Sequence, residues 1–216
     1  MYAETFAPAP PLPKALPPKK RKIPASLVKE TIDGVPFYYA GYQAVLNKTQ
    51  TLESIMADSG LQGFIKSFLM TLLAQQLDLK RYRIFMGEIG SHLDHRSNLA
   101  LDLAVFDKNL LSAKKINLQY IDVAPKIVVE VDVNVQLEDP SASVFEDFVL
   151  NKVRKLHAFG TEKIIWVFSK SRTVIVARPD NKWDVLDWNT DIELLENITF
   201  NIARHLEEEG IMLPSA

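Results

Sequence analysis

The sequence predicts an α/β fold, a central mixed sheet flanked by helices. Three observations carry that expectation. Residues 59–77 place apolar side chains at three- and four-residue steps, residues 82–133 contain three runs in which the period drops to two, and residues 141–159 return to helical spacing before further strands. No repeat of fixed period appears, and 216 residues in this order read as one domain with one core.

Taken in order, "APAPPLPKALPPKKRKIP" holds most of the chain's 12 prolines. Proline fixes φ and removes a donor, so such a stretch builds neither helix interiors nor central strands. Residues 1–24 therefore read as an extended arm and residues 25–216 as the folded domain. Asp33-Gly34 is a turn signal leading into the strand-like "VPFYY". The helix over 59–77 carries Leu61, Phe64, Ile65, Phe68, Leu69 and Leu72 on a broad stripe, with Ser59 or Asp58 as its cap. Strands are expected at 82–90, 99–107 and 126–133. The second helix is opened by Pro140, capped by Ser141 or Ser143, and ended at Gly160. "KIIWVFSK", "TVIVARP" and "KWDVLDW" read as strands, and a last helix is expected near 198–209.

Composition narrows the chemistry. The chain has no Cys, which excludes thiolate catalysis, disulfides and Cys-based zinc sites and suits a reducing compartment. The apolar stretch "FLMTLLA" is too short to cross a bilayer, and "MYAETFAPAP" lacks the basic start and apolar core of a secretory signal, so a cytoplasmic protein without membrane contact is expected. The net charge of −2 hides an asymmetry. Lys14, Lys19, Lys20, Arg21 and Lys22 stand against Glu4 in the arm, so the rest of the chain is the more acidic part. An acidic body attracts phosphate backbones poorly. A short basic run is more often a solvated tail than a docking element.

Within the strands, three carboxylates look out of place. Asp102 shares a predicted face with Ala104 and Phe106, opposite Leu101, Leu103 and Val105; Glu130 and Asp132 sit on the face of Val128. A carboxylate on such a face needs a partner. A solvent-facing edge or two separate salt bridges would explain them blandly. At about 100° per residue, however, Lys152 falls near the centre of the stripe formed by Phe145, Phe148, Val149, Leu156 and Phe159. A lone lysine there would run its stem along the core and reach water; beside inward strand acids it has anions to meet. His92 and His95 flank Asp94 in a polar, turn-like segment that offers no rigid metal-ligand face. His157 and His205 read as helix-surface residues, and Trp166, Trp183 and Trp188 as strand packing.

Two strand acids followed by a helix resemble the PD-(D/E)xK nuclease core. More narrowly, residues 25–206 are similar to the Uma2 (DUF820) family of endonuclease-like proteins. The matching stretches are "IDGVPFYYAGYQAVL", "NLALDLAVF", "PKIVVEV", "KVRKLHAFGTEKIIWVF" and "SRTVIVARP". The resemblance implies a restriction-endonuclease-like fold and a metal-dependent endonuclease that hydrolyses DNA phosphodiester bonds. It implies Asp102 as the motif acid, Glu130 as the second acid and Lys152 as the helix lysine. Asp102 and Glu130 would be ligands of Mg²⁺, with Mn²⁺ as a substitute, and Lys152 would orient the attacking hydroxide or stabilise the transition state. Asp132 would be a further ligand or the counter-ion of Lys152. Glu88 lies either in the same cleft or at an exposed strand end.

The sequence departs from the family pattern at Leu101, where a Pro usually precedes the motif Asp, at Asp132, where the wider superfamily often has Lys, and at Leu156 in place of Tyr. These departures leave a second reading open, a nuclease-like fold without hydrolysis that serves as a binding or interaction module. A third is that the acids and Lys152 form only a buried salt-bridge cluster. Cutting both strands of DNA needs two centres, which a homodimer would supply, although no single residue argues for one.

Overall fold

The computed structural model describes residues 22–214. All but the last three residues of the expected arm lie outside the described residues. β1 (Val28–Ile32) and β2 (Val35–Tyr39) form a hairpin closed by Asp33 at φ 52° and Gly34 at φ 81°. Paired left-handed residues give the turn whose twist matches the strands it joins. Two short helices follow, α1 (Tyr42–Leu46) and α2 (Leu52–Met56), and then the long α3 (Gly60–Gln76). Ser59, not Asp58, caps α3. Its hydroxyl accepts from Gln62 N–H while the Gln62 side chain accepts from Ser59 N–H, a reciprocal capping box. That leaves the Asp58 carboxylate free for another partner.

The remaining elements are β3 (Tyr82–Asp94), β4 (Ser97–Asp107), β5 (Ile127–Val131), β6 (Val135–Gln136), α4 (Asn151–Phe159), β7 (Lys163–Phe168), β8 (Thr173–Arg178), β9 (Lys182–Asp187), β10 (Ile192–Leu195), β11 (Ile198–Phe200) and α5 (Ile202–Glu208). A π-helical turn, Val144–Leu150, leads into α4, and Ser143 caps it by accepting from Glu146 N–H. Gly160, at φ 119°, ends α4 in the left-handed conformation that favours glycine. The last helix is shorter than expected. Ile198 and Phe200 are buried with Thr199 exposed between them, so this stretch pairs with β10 as a strand, and Asn201 starts the helix by accepting from Arg204 N–H.

Among the described residues nine strands form one mixed sheet in the order β6-β2-β1-β4-β5-β7-β8-β9, with β3 also on β4. β5 and β7 run parallel, joined by the crossover through α4. On one face Leu103, Val105, Val129 and Val131 pack under Ile65, Leu69 and Leu73 of α3; on the other Ala104, Phe106, Val128 and Trp166 pack under Phe148, Val149, Val153 and Leu156. Leu101 departs from the predicted alternation and joins the layer of Ala104 and Phe106. The phase slips at Asp102. There β3 carries an extra residue, its pairing stepping from Met86–Leu103 to Ile89–Leu101, with Gly87 at φ 92° inside the bulge.

This sheet forks. β4 meets β1 through the pair Thr31–Asn98 near its start, and β5 through Leu103–Val129, Ala104–Val128 and Val105–Ile127 further on. Between those contacts β1 and β5 diverge, and backbone groups there lose their strand partners. Buried backbone groups require partners, and side chains supply them.

Among the described residues no helix is long and apolar enough to cross a membrane.

Candidate functional site

Lys152 reaches into the fork. Its helical face, shared with Phe148, Val149 and Leu156, turns it to the sheet, and it is fully buried. Nζ donates to Glu30 Oε1 at 2.7 Å and to the carbonyl of Ala100 at 2.9 Å, and lies 3.0 Å from Glu130 Oε1. The rings of Phe148 and Trp166 flank the ammonium at 5.5 and 5.7 Å.

Asp102 closes the other side. Its Oδ2 accepts from Val131 N–H at 2.8 Å, and its Oδ1 accepts from Lys66 Nζ at 3.0 Å. Lys66, on α3, also donates to both oxygens of Asp58 at 2.8 and 2.9 Å. Glu30, Lys66, Asp102, Glu130 and Lys152 thus line one small pocket together with the more exposed Asp58. The three residues singled out in the sequence, Asp102, Glu130 and Lys152, are all in it.

Charge inside this pocket does not balance. Three buried carboxylates, on Glu30, Asp102 and Glu130, meet two buried ammoniums, on Lys66 and Lys152. Burial is the largest influence on Glu130 and pushes its carboxyl up to about 8; Lys152 opposes the rise, while Asp102 and Glu30 add to it. Burial likewise raises Glu30 against the pull of Lys152. Burial alone would lower Lys152, but the Glu130 and Glu30 carboxylates outweigh it and keep the ammonium charged. Lys66 behaves in the same way beside Asp102. Among the described residues Glu30 Oε2 is buried with no hydrogen-bond donor, and Glu130 Oε1 meets only the Lys152 ammonium, at 3.0 Å.

The unpartnered Glu30 oxygen and the excess of carboxylates over ammoniums among the buried groups are compatible with a small hard cation, which would take the place of the extra proton. Among the described residues no three His, Cys, Asp or Glu side chains converge into a ready metal cage. Asp102 and Glu130 offer hard oxygen donors of the kind Mg²⁺ takes one or two at a time.

Asp132 is engaged by Ser169 and makes no ion pair with Lys152 among those described. β5 ends at Val131, and Asp132 adopts φ 61°, which breaks the alternation. Its two oxygens accept from Ser169 N–H and Ser169 Oγ at 2.6 Å each, and its carbonyl accepts from Trp166 Nε1 at 2.8 Å. It ties the end of β5 to the end of β7. Glu88 lies at the bulge of β3, where it accepts from the Tyr39 hydroxyl at 3.0 Å and pairs with Lys29 at 3.3 Å. His92 is in β3 rather than in a turn, since the strand extends to Asp94, and its Nδ1 meets Asn98 Oδ1 at 2.7 Å. His205 stacks on Phe68 at 3.7 Å.

Two members of the pocket, Glu30 and Lys66, were not singled out in the sequence. The same signals mark them. Glu30 alternates with Val28 and Ile32 in β1, and Lys66 lies three and seven residues before the buried Leu69 and Leu73.

No family model and no curated protein matches the chain. Among solved structures, the crystal structure of "a putative nuclease belonging to DUF820" from Anabaena variabilis is similar, with a TM-score of 0.57 and 16% identity, over 81% of this chain and 87% of that one. At that identity the likeness carries the fold. The resemblance read from the sequence, and with it the restriction-endonuclease-like core, is borne out at that level.

Proposed function

We propose that this chain is a divalent-metal-dependent endonuclease that hydrolyses DNA phosphodiester bonds. The observation that supports it best is the convergence of Asp102, Glu130 and Lys152 on one buried pocket, inside a nuclease-like fold. Asp102 and Glu130 would hold Mg²⁺ or Mn²⁺. When bound, such an ion lowers the pKa of a water and offsets charge on the scissile phosphate. Glu130 would hold the ion in its ionised form. The Lys152 ammonium, held by Glu30, Glu130 and the Ala100 carbonyl, would act on the negative charge that develops on the phosphate through its field. Glu30 holds that ammonium in place, and Lys66 keeps Asp102 oriented. A homodimer, which would carry two such centres, and a cytoplasmic location belong to the same proposal.

Supercoiled plasmid incubated with Mg²⁺ or Mn²⁺ tests it. Nicking by the wild type, lost in folded Lys152→Ala, is the expected result. No nicking by the wild type, or equal nicking by the variant, refutes the reading.

The contact of Lys66 with Asp102 favours a second reading, in which the carboxylates are already satisfied and the fold serves as a binding module. The two readings diverge on metal. A catalytic pocket melts at higher temperature with Mg²⁺ and loses that shift in Asp102→Asn, whereas a non-catalytic module shows no shift.

A further inference from the structure

Beside the carboxylate pocket lies a wider groove of about 850 Å³. Lys29 and Glu30 line both spaces, so the two meet at β1. The opposite wall is the segment between β4 and β5, which is pinned to the edge of β3. His92 N–H donates to Ile121 O at 2.8 Å, and Ile121 N–H donates to Gly90 O at 2.9 Å.

That pinning sets Tyr120. Its ring lies so close over Gly90 that a Cβ there would come within 2.5 Å of the ring carbon Cδ1. The backbone thus backs the ring, yet Tyr120 remains 59% exposed. Lys114 and Lys115 line the same groove from a 3₁₀ turn, Ala113–Lys115. Lys115 approaches Asp122 only to 3.8 Å, and Lys29 is held by Glu88 at 3.3 Å. Lys114 is exposed.

An exposed aromatic ring beside ammonium groups is how proteins hold unpaired nucleic acid, one base stacked and the phosphates neutralised. Duplex bases are already stacked on each other and offer no free face. We propose that this groove receives an unpaired polynucleotide segment, with a base on Tyr120, phosphates at Lys114 and Lys115, and the strand passing Lys29 toward the carboxylate pocket. This gives the substrate class of the proposed nuclease and rests on that reading for its purpose, though the binding itself does not depend on hydrolysis.

Fluorescence anisotropy in chelator, where hydrolysis cannot interfere, tests it with labelled oligo-dT, oligo-rU and a duplex of mixed sequence. The full-length protein should bind an unpaired strand more tightly than the duplex. Tyr120→Ala should weaken that binding about tenfold, a loss typical of one stacked base. Lys114→Ala with Lys115→Ala should weaken it and flatten its salt dependence. Leu118→Ala, fully exposed on the same segment but outside the groove, should change nothing. Thermal melting of each variant checks folding. Preference for duplex, no binding of either unpaired strand, or a Tyr120→Ala affinity equal to wild type overturns the groove. Nicking that persists in that event leaves the nuclease reading standing, and Tyr120-dependent binding without any nicking leaves the groove standing alone.

Discussion

Lys152 and Glu30, 122 positions apart in the chain, meet at 2.7 Å inside the fork of the sheet, each with a side chain only 1% exposed. The contact ties α4 to β1 through charges that cannot reach water. Removing only the lysine leaves Glu30 and Glu130 buried without their ammonium partner, a loss of about 3–5 kcal/mol. Lys152→Met should show it in urea unfolding, and adding Glu30→Gln and Glu130→Gln should recover part of the loss. A Lys152→Met protein as stable as wild type contradicts this electrostatic account of the fork.

Asp132 is predicted to act on stability and not on metal. Asp132→Ala removes two acceptor oxygens from Ser169 and places an alanine at φ 61°. Loss of those bonds and the backbone strain should together cost about 2 kcal/mol. The Mg²⁺-induced shift in melting temperature should stay at its wild-type size, and its disappearance would return Asp132 to the ligand set.

Glu130 sets a pH dependence in metal-free buffer. Its carboxyl rises from an ordinary value of 4.5 to about 8 on folding. Between those values the folded protein keeps a proton that the unfolded chain releases. The contribution of Glu130 to stability is therefore complete below the lower value and is lost as pH rises toward the upper one. Melting temperature in chelator should fall from about pH 5 to about pH 8. Glu130→Gln, which cannot lose the proton, should flatten that slope, and an unchanged slope assigns it to other groups.

Much of this site was legible because its residues break patterns. Asp102 and Lys152 interrupt apolar faces at strand and helix periods, and an interruption of that kind is visible in one dimension. Glu30 and Lys66 carry the same mark. Each looks ordinary alone, however, and their meaning comes from the fork, a tertiary feature that no local period encodes. Asp132 misled for a related reason. Alternation assumes that a strand continues, and the left-handed turn after Val131 is decided by Ser169, 37 positions away. The β10–β11 hairpin was missed because "ITF" suits either period, and its partner strand decides between them.

Lys66 also competes for the metal. It occupies Asp102 Oδ1 with an ammonium, which an arriving cation must displace or tolerate. Lys66→Met should melt lower than wild type without metal and show a larger rise with saturating Mg²⁺. An equal or smaller rise places Lys66 outside the metal's surroundings.

The central claim is that Asp102 and Glu130 form one divalent-ion site beside Lys152. Crystals of the protein soaked in Mn²⁺ test it most directly, through the anomalous difference map. The account predicts a peak coordinated by both carboxylates. A fully soaked crystal with no peak there, or with Mn²⁺ bound only elsewhere, would contradict it.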